Sequence, residues 1–119
     1  MALAFIDVDG LKKMNDSEGH AGGDELLRDT ADLIRTHFRP YDLTVRYGGD
    51  EFLCGLAGID LAEAAQRFSL VNADLATSHA ASVTVGLAEL EPDDTLEDLI
   101  ARADEAMYLE RDGRESTDA

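Results

Sequence analysis

A pair of glycines between two short apolar runs most limits how this chain can fold. Gly48 and Gly49 lie between the run at positions 43–45 and the pair Phe52 and Leu53. Glycines between two β-type runs predict a two-residue hairpin, because a type I′ turn needs positive φ at both central positions. Such a turn leaves room beside its backbone for a bulky anionic ligand.

Carboxylates occur at the ends of two predicted strands. Asp50 and Glu51 follow the glycines, while Asp7 and Asp9 end the apolar run at positions 3–6. Alternation along a strand puts Asp7 and Asp9 on one face. Two acidic strand ends in one small domain predict a site for a hard divalent cation, and therefore phosphate chemistry.

The spacing of apolar residues predicts an α+β fold. Predicted in order are a strand at 3–8, a helix from Asp24 to Phe38 halted by Pro40, a hairpin over 43–56, a helix from Asp60 to about Asp74, a strand over 82–88 and a helix capped by Thr95. This order implies an α/β sandwich with helices packed on a mainly antiparallel sheet. A length of 119 residues fits one domain.

The charge of the chain limits its partners. Asp and Glu number 26 against 10 Lys and Arg, which gives a formal net charge of −16. Without a basic cluster, neither nucleic acid nor an anionic membrane is an expected partner. A nucleoside triphosphate would be repelled unless cations neutralise it, which favours a bound metal. A hydrated surface suited to high salt is the alternative explanation of the acidity.

Cysteine content and hydropathy indicate the compartment. The single cysteine, Cys54, excludes an internal disulfide and is expected to be a small buried residue. No apolar run approaches the roughly 20 residues that span a bilayer, and no signal peptide is visible. These features predict a cytoplasmic protein.

Several segments, taken in order, resemble the GGDEF family of diguanylate cyclases. They are Phe5-Ile6-Asp7-Val8-Asp9-Gly10-Leu11-Lys12, Asn15-Asp16, Gly19-His20-Ala21-Gly22-Gly23-Asp24, Arg46-Tyr47-Gly48-Gly49-Asp50-Glu51-Phe52, Thr84-Val85-Gly86 and Ala103-Asp104-Glu105-Ala106-Met107-Tyr108. The resemblance covers about Ala4 to Arg114 and implies a palm-like fold of the nucleotidyl-cyclase type. It also implies that two GTP condense into cyclic di-GMP with release of two pyrophosphates. Since one domain holds one GTP, a homodimer is implied for turnover.

The resemblance assigns a cation site to the acids. Asp7 would bind Mg²⁺ or Mn²⁺ through its carboxylate and Val8 through its backbone carbonyl. Asp50 would be a further ligand and the base for the attacking hydroxyl. Glu51 lies within reach of the same cation, although residues 50 and 51 of an ideal strand point to opposite faces. Taken singly, each acid is better explained as a solvated turn or surface residue, whereas the whole pattern favours metal binding.

The resemblance also implies substrate contacts, from Asn15, His20, Asp24, Gly48, Gly49 and Arg111. Lys12 would act in catalysis by neutralising charge that builds on the phosphates. Asn15 and Asp24 would read guanine, with Asp24 favouring guanine over adenine. A structural hydrogen bond is the alternative for His20, and a favourable place at a helix N-terminus is the alternative for Asp24.

A candidate regulatory motif precedes the diglycine. Arg39 and Asp42 have the Arg-x-x-Asp form of the family's product-inhibition site, at the family's spacing from Gly48. Cyclic di-GMP would bind there and inhibit, whereas a surface salt bridge is the alternative.

Two departures from the family pattern leave other functions open. The usual N-terminal helical segment is absent from this sequence, and Arg111 stands where the family has a phosphate-binding lysine. The alternatives to the enzyme are a non-catalytic module that binds GTP or cyclic di-GMP and an inactive truncated remnant.

Overall fold

The structure is a computed structural model that describes residues 1–38 and 43–118, with side chains for all of these except 43 and 114–118. Its elements in chain order are β1 (Ala2–Asp9), α1 (Leu11–His37), β2 (Leu43–Arg46), β3 (Glu51–Leu56), α2 (Leu61–His79), β4 (Ser82–Glu89) and α3 (Leu96–Asp118). Across the described ranges the strands form one antiparallel sheet in the order β2-β3-β1-β4. The predicted α+β architecture is confirmed.

The sheet is covered on both faces because β1 is apolar on both. Ala4, Ile6 and Val8 join the core formed with α1 and α2. Leu3 and Phe5 pack with α3 on the opposite face. By the alternation of a strand, Asp7 and Asp9 continue the α3 face toward the end of β1. The sheet therefore delivers both carboxylates to its rim beside α3.

Helix α1 begins earlier than predicted, and the expected start at Asp24 is wrong. It starts at Leu11, after Gly10 in the left-handed region at φ 79°, and Gly19 at φ 76° kinks it. Three glycines, at positions 19, 22 and 23, lower the helix propensity of this stretch, so the first turns of the helix are not predicted from the sequence. Because the helix starts at Leu11, it includes Lys12 and Asn15.

The predicted two-residue type I′ hairpin is also wrong. Neither Gly48 nor Gly49 has positive φ, and four residues, 47–50, join β2 to β3. The Arg46 guanidinium donates to the carbonyls of Gly48 and Gly49, at 3.2 and 2.9 Å. Since this side chain satisfies the loop carbonyls, a wider loop forms without left-handed residues.

The cap of α3 is confirmed, and one side of the helix is buried against the sheet. Thr95 Oγ1 accepts from the Asp98 backbone N–H at 3.1 Å, and the Asp98 carboxylate accepts from the Thr95 N–H at 3.0 Å. Leu99 and Ala103 are buried, but Leu96 is 63% exposed. Cys54 is buried, as expected. No helix in the described ranges is long and apolar enough to cross a membrane.

Candidate functional site

The end of β1 carries a buried carboxylate with one open oxygen. Asp7 is 5% exposed, and Nη2 of Arg111, from α3, lies 2.6 Å from its Oδ2. Its other oxygen, Oδ1, is buried and has no hydrogen-bond partner among the described residues. A buried acceptor without a partner is costly, so this oxygen is ready to bind a cation or a donor.

Asp9 has a different environment from Asp7. Its carboxylate accepts hydrogen bonds from the hydroxyls of Ser82 and Thr84 on β4, each at 2.8 Å. Arg111 Nη2 also lies 3.5 Å from its Oδ1. These contacts orient Asp9 as a support for the rim of the sheet and for Arg111.

The loop before β3 brings further acids to the same rim. The Val8 N–H donates to the Asp50 carbonyl at 2.9 Å, which fixes Asp50 beside the end of β1. Glu51 pairs directly with Asp7 across the two strands. Because β3 begins at Glu51, Asp50 lies in the loop, and strand alternation does not force the two residues to opposite faces.

Two of the carboxylates at this rim, Asp7 and Glu51, have a raised pKa, chiefly because they are buried. Burial raises the pKa of Asp7 from 3.8 to about 6, with Arg111 opposing this and Asp50 adding to it. Burial raises the pKa of Glu51 as well, and the charges of Asp50 and Asp104 contribute. Negative charge is thus concentrated where a cation would relieve it.

These residues fit a hard divalent cation. The described residues contain no three His, Cys, Asp or Glu side chains already arranged around one point. Mg²⁺ does not need such a cage, because it commonly uses one or two carboxylates and completes its shell with water and substrate phosphates. The unpartnered Oδ1 of Asp7 and the neighbouring carboxylate of Asp50 supply donors of the required kind.

A cavity of about 360 Å³ lies between α1 and the diglycine loop. It is lined by Leu11, Lys12, Asn15, His20, Gly23, Asp24, Leu27, Arg46, Gly49 and Asp50. Most of the predicted substrate residues therefore meet in one place. Gly48 and Arg111 are not among the lining residues, and Arg111 contacts the acids instead.

The first turn of α1 favours an anion. Its N-cap, Gly10, makes no side-chain cap, and the first turn contains no acidic residue. The N–H groups at a helix start lack intrahelical partners and carry positive partial charge. Lys12 in the same turn adds a full charge, so this end of the cavity is suited to phosphate oxygens.

Gly23 makes room for Asn15 inside the cavity. A Cβ at Gly23 would lie 1.8 Å from Asn15 Oδ1, so the amide occupies space that only glycine leaves open. The amide is thereby held against the second part of α1, beside Asp24.

The resemblance predicts that the Asn15 amide contacts GTP. On that prediction, we expect Gly23→Ala to weaken binding of a GTP analogue about tenfold, since the displaced amide loses a hydrogen bond worth roughly 1–1.5 kcal/mol. Calorimetric titration measures the change. If the effect acts through Asn15, the double variant Gly23→Ala, Asn15→Ala binds no more weakly than Asn15→Ala alone. Additive losses would contradict this account of Gly23.

Some contributors escaped prediction from the sequence. Arg46 shapes the loop, and only its position before the diglycine hinted at this. Ser82 and Thr84 orient Asp9, which depends on the register between β1 and β4 and has no local signal. The predicted inhibitory residues Arg39 and Asp42 lie outside the described residues.

Known families and structures match the chain along nearly its full length. Residues 1–116 match the family described as "Diguanylate cyclase, GGDEF domain". The diguanylate cyclase DosC of Escherichia coli K12 is 35% identical over 96% of this chain and 27% of its own length. The chain thus spans between about a quarter and two fifths of the length of the curated relatives it matches.

Two solved structures share the fold. The GGDEF domain of DgcB from Caulobacter crescentus, in complex with c-di-GMP, superposes with a TM-score of 0.85 at 27% identity, covering 94% of this chain and 72% of that one. The diguanylate cyclase SiaD of Pseudomonas aeruginosa, in complex with its activator SiaC, has a TM-score of 0.85 at 31% identity, covering 94% and 46%. The chain belongs to the GGDEF family of diguanylate cyclase domains.

Proposed function

We propose that this chain is the catalytic domain of a diguanylate cyclase, which condenses two GTP into cyclic di-GMP and releases two pyrophosphates. The observation that carries the proposal is the cavity in which Lys12, Asn15, Asp24 and Asp50 meet, next to the open carboxylate oxygen of Asp7. Each domain holds one GTP, so two domains must face each other as a homodimer.

Guanine recognition is assigned to the α1 side of the cavity. Asp24 accepts from the N1–H and the 2-amino group of guanine, and adenine offers no such pair of donors. The Asn15 amide donates to O6 or N7, and His20 closes the same end of the cavity. The exposed position of Asp24 and the buried Gly23 beside it support an opening wide enough for a base.

Phosphate binding is assigned to the start of α1 and to the loop. The uncapped N–H groups after Gly10 and the ammonium of Lys12 bind phosphate oxygens, and Lys12 neutralises charge that develops in the transition state. Gly48 and Gly49 leave space for the nucleotide beside the loop. Arg111 would contact the triphosphate after leaving Asp7, and the charge it carries suits that role.

The metal ligands are assigned to Asp7, the Val8 carbonyl, Asp50 and Glu51. Bound Mg²⁺ or Mn²⁺ would acidify the attacking 3′-hydroxyl and neutralise phosphate charge. Asp50 accepts the proton of that hydroxyl as it attacks the α-phosphate of the facing nucleotide. The position of Asp50 in a loop held to Val8 supports this role, since its side chain is not committed to a strand face.

One observation favours a second candidate, a non-catalytic module that binds GTP or cyclic di-GMP. Arg111 is held by Asp7 and Asp9 and lies outside the cavity lining. If the ion pair between Arg111 and Asp7 persists with nucleotide bound, Arg111 does not reach the triphosphate and Asp7 binds a cation more weakly. Incubation with GTP and Mg²⁺ followed by nucleotide separation decides between them: cyclic di-GMP supports the cyclase, and binding without product supports the module.

Two further parts of the proposal concern regulation and location. We propose that Arg39 and Asp42 form a product-inhibition site. The crystal structure of the DgcB GGDEF domain in complex with c-di-GMP supports the proposal that this chain also binds that ligand. If added cyclic di-GMP inhibited Arg39→Ala and the unaltered chain equally, the proposed inhibitory site would be excluded.

The cytoplasm is the proposed location because GTP is available there.

Asp24→Asn is expected to reduce the preference for GTP over ATP by roughly tenfold to a hundredfold, since each lost polar recognition contact is worth about 1–3 kcal/mol. The amide cannot accept from both guanine donors as the carboxylate does. Competition between the two nucleotides for binding measures the ratio. An unchanged ratio would assign guanine recognition elsewhere.

The requirement for two domains predicts a concentration dependence. Initial rates per domain are expected to rise with protein concentration and to level off once the dimer is saturated. A rate per domain that stays constant from nanomolar to micromolar protein, with a monomer by light scattering throughout, would contradict the facing-domain arrangement.

A further inference from the structure

Strand β4 forms an edge of the sheet and borders a groove that is separate from the cavity described above. In the described ranges, β4 pairs only with β1. A cavity of about 530 Å³ runs along its outer side, between one face of α2 and the residues Ala106 and Glu110 of α3. None of the proposed site residues lines this groove.

The hydrogen bonds of β4 show which backbone groups face the groove. The Asn72 side chain, from α2, accepts from the Val83 N–H at 2.7 Å and donates to the Val83 carbonyl at 3.2 Å. The Leu90 N–H, just past the strand, donates inward to Met1 at 2.8 Å. In an antiparallel strand, the backbone N–H and C=O of every second residue point to the same side. The backbone groups that point away from β1 are therefore those of Val83, Val85, Leu87 and Glu89.

Side chains close both ends of this outward row. At one end, the Asn72 side chain hydrogen-bonds the backbone N–H and C=O of Val83. At the other end, the Arg102 guanidinium donates to the Glu89 carbonyl and to both carboxylate oxygens of Asp94, the latter at 2.6 and 2.7 Å. Between them, no described residue hydrogen-bonds the outward N–H and C=O groups of Val85 and Leu87. The row from Val83 to Glu89 is roughly 20 Å long, enough for a strand of about five residues between the two closed ends.

The groove combines an apolar floor with polar side chains along its walls. Phe68 of α2 is 3% exposed at its base, and Val85 and Leu87 are half-buried beside it. Edge strands with unpaired backbone groups accept a further strand, whose alternate side chains enter pockets at the sheet face. The groove thus offers both the backbone partners and an apolar floor.

Charge identifies the occupant. Among the described residues that line the groove, Glu110 carries the one charge, and the whole chain has a net charge of −16. A second copy pairing edge to edge would bring two chains, each of net charge −16, against one another. We propose that the β4 groove binds an extended basic peptide segment of a partner protein, in which Lys or Arg alternates with apolar residues, as an added fifth strand.

The test uses the full chain and a blocked synthetic peptide, Lys-Val-Lys-Val-Lys-Val-Lys. Calorimetry is expected to give one peptide per chain, and hydrogen exchange by NMR is expected to slow at least tenfold at Val85 and Leu87. A peptide with proline in place of each valine has the same charge but cannot form a strand. It is expected to bind at least tenfold more weakly.

Matched variants separate backbone pairing from general attraction. Val85→Pro removes an outward N–H, a change that edge strands tolerate, and it is expected to weaken binding at least tenfold. Glu110→Lys keeps the backbone and is expected to weaken binding more than Glu105→Lys, an exposed charge reversal on the same helix outside the groove lining. If the proline variant does not fold, the Glu110 and Glu105 pair and the exchange data still decide.

Three outcomes would overturn the proposal. Equal binding of the valine and proline peptides would mean diffuse attraction to an acidic surface. Protection that appears away from Val85 and Leu87 would place the peptide elsewhere. A doubled mass with these amides protected in the absence of peptide would make a second copy the occupant. None of these results depends on cyclase activity, so the proposed function stands or fails separately.

Discussion

Replacing Asp50 with asparagine is expected to lower the rate of cyclic di-GMP formation by about a thousandfold or more, while the protein stays folded. Asp50 serves twice in the proposed mechanism, as a cation ligand and as the acceptor of the hydroxyl proton. Loss of a general base alone costs a factor of about 10²–10⁴. Its place in the fold is set by its backbone, through the bond from the Val8 N–H, and asparagine keeps that bond.

The measurement is the initial rate of product formation, together with the denaturation midpoint of each protein. Asp93→Asn is the matched control, because it removes the same charge from an exposed residue distant in sequence from the cavity. We expect the control to keep the rate within about twofold. An Asp50→Asn protein that retained a tenth or more of the activity would exclude both roles of Asp50.

Gly86→Ala is expected to destabilise the domain by about 3 kcal/mol or more, at the upper end of the range for overpacked cores. Gly86 lies on β4 directly beneath α3. A Cβ there would lie 2.1 Å from the Ala103 carbonyl oxygen and 2.2 Å from the Met107 backbone nitrogen. Backbone atoms cannot rotate away as a side chain can, so α3 must lift from the sheet.

The shift is measured as the change in the urea unfolding midpoint at constant slope. Gly113→Ala is the control, because among the described residues no atom beyond its chain neighbours and its own helical turn lies within 4 Å of the Cβ position. Alanine is the better helix former by about 1 kcal/mol, so this control is expected to be neutral or slightly stabilising. A Gly86→Ala midpoint equal to that of the unaltered chain would mean that α3 does not pack as described.

The fold could be predicted where local signals were strong. The strands around Phe5 and Val83, the cap at Thr95 and the burial of Cys54 follow from alternation, capping chemistry and residue type. The start of α1 could not, because Gly19 and its neighbours obscure a helix that tertiary packing stabilises. The turn at Gly48 and Gly49 was mispredicted because Arg46 satisfies the loop carbonyls, a contact that local propensity does not reveal.

The candidate site divides in the same way. The resemblance to the GGDEF family was sufficient to nominate Lys12, Asn15, Asp24 and Asp50, and the structure places all four around one cavity. The open oxygen of Asp7 and the bond from Arg111 depend on how α3 crosses the end of β1. Such contacts join residues about a hundred positions apart and leave no periodic trace in a single sequence.

In the proposed mechanism, a divalent cation joins the β1 acids to GTP. Titration of a non-hydrolysable GTP analogue, with Mg²⁺ and with EDTA, tests this in the unaltered chain and in Asp7→Asn. We predict one site per chain, at least tenfold tighter with Mg²⁺, and no such difference in Asp7→Asn. Equal affinity with and without the metal, or a metal effect that survives Asp7→Asn unchanged, would contradict it.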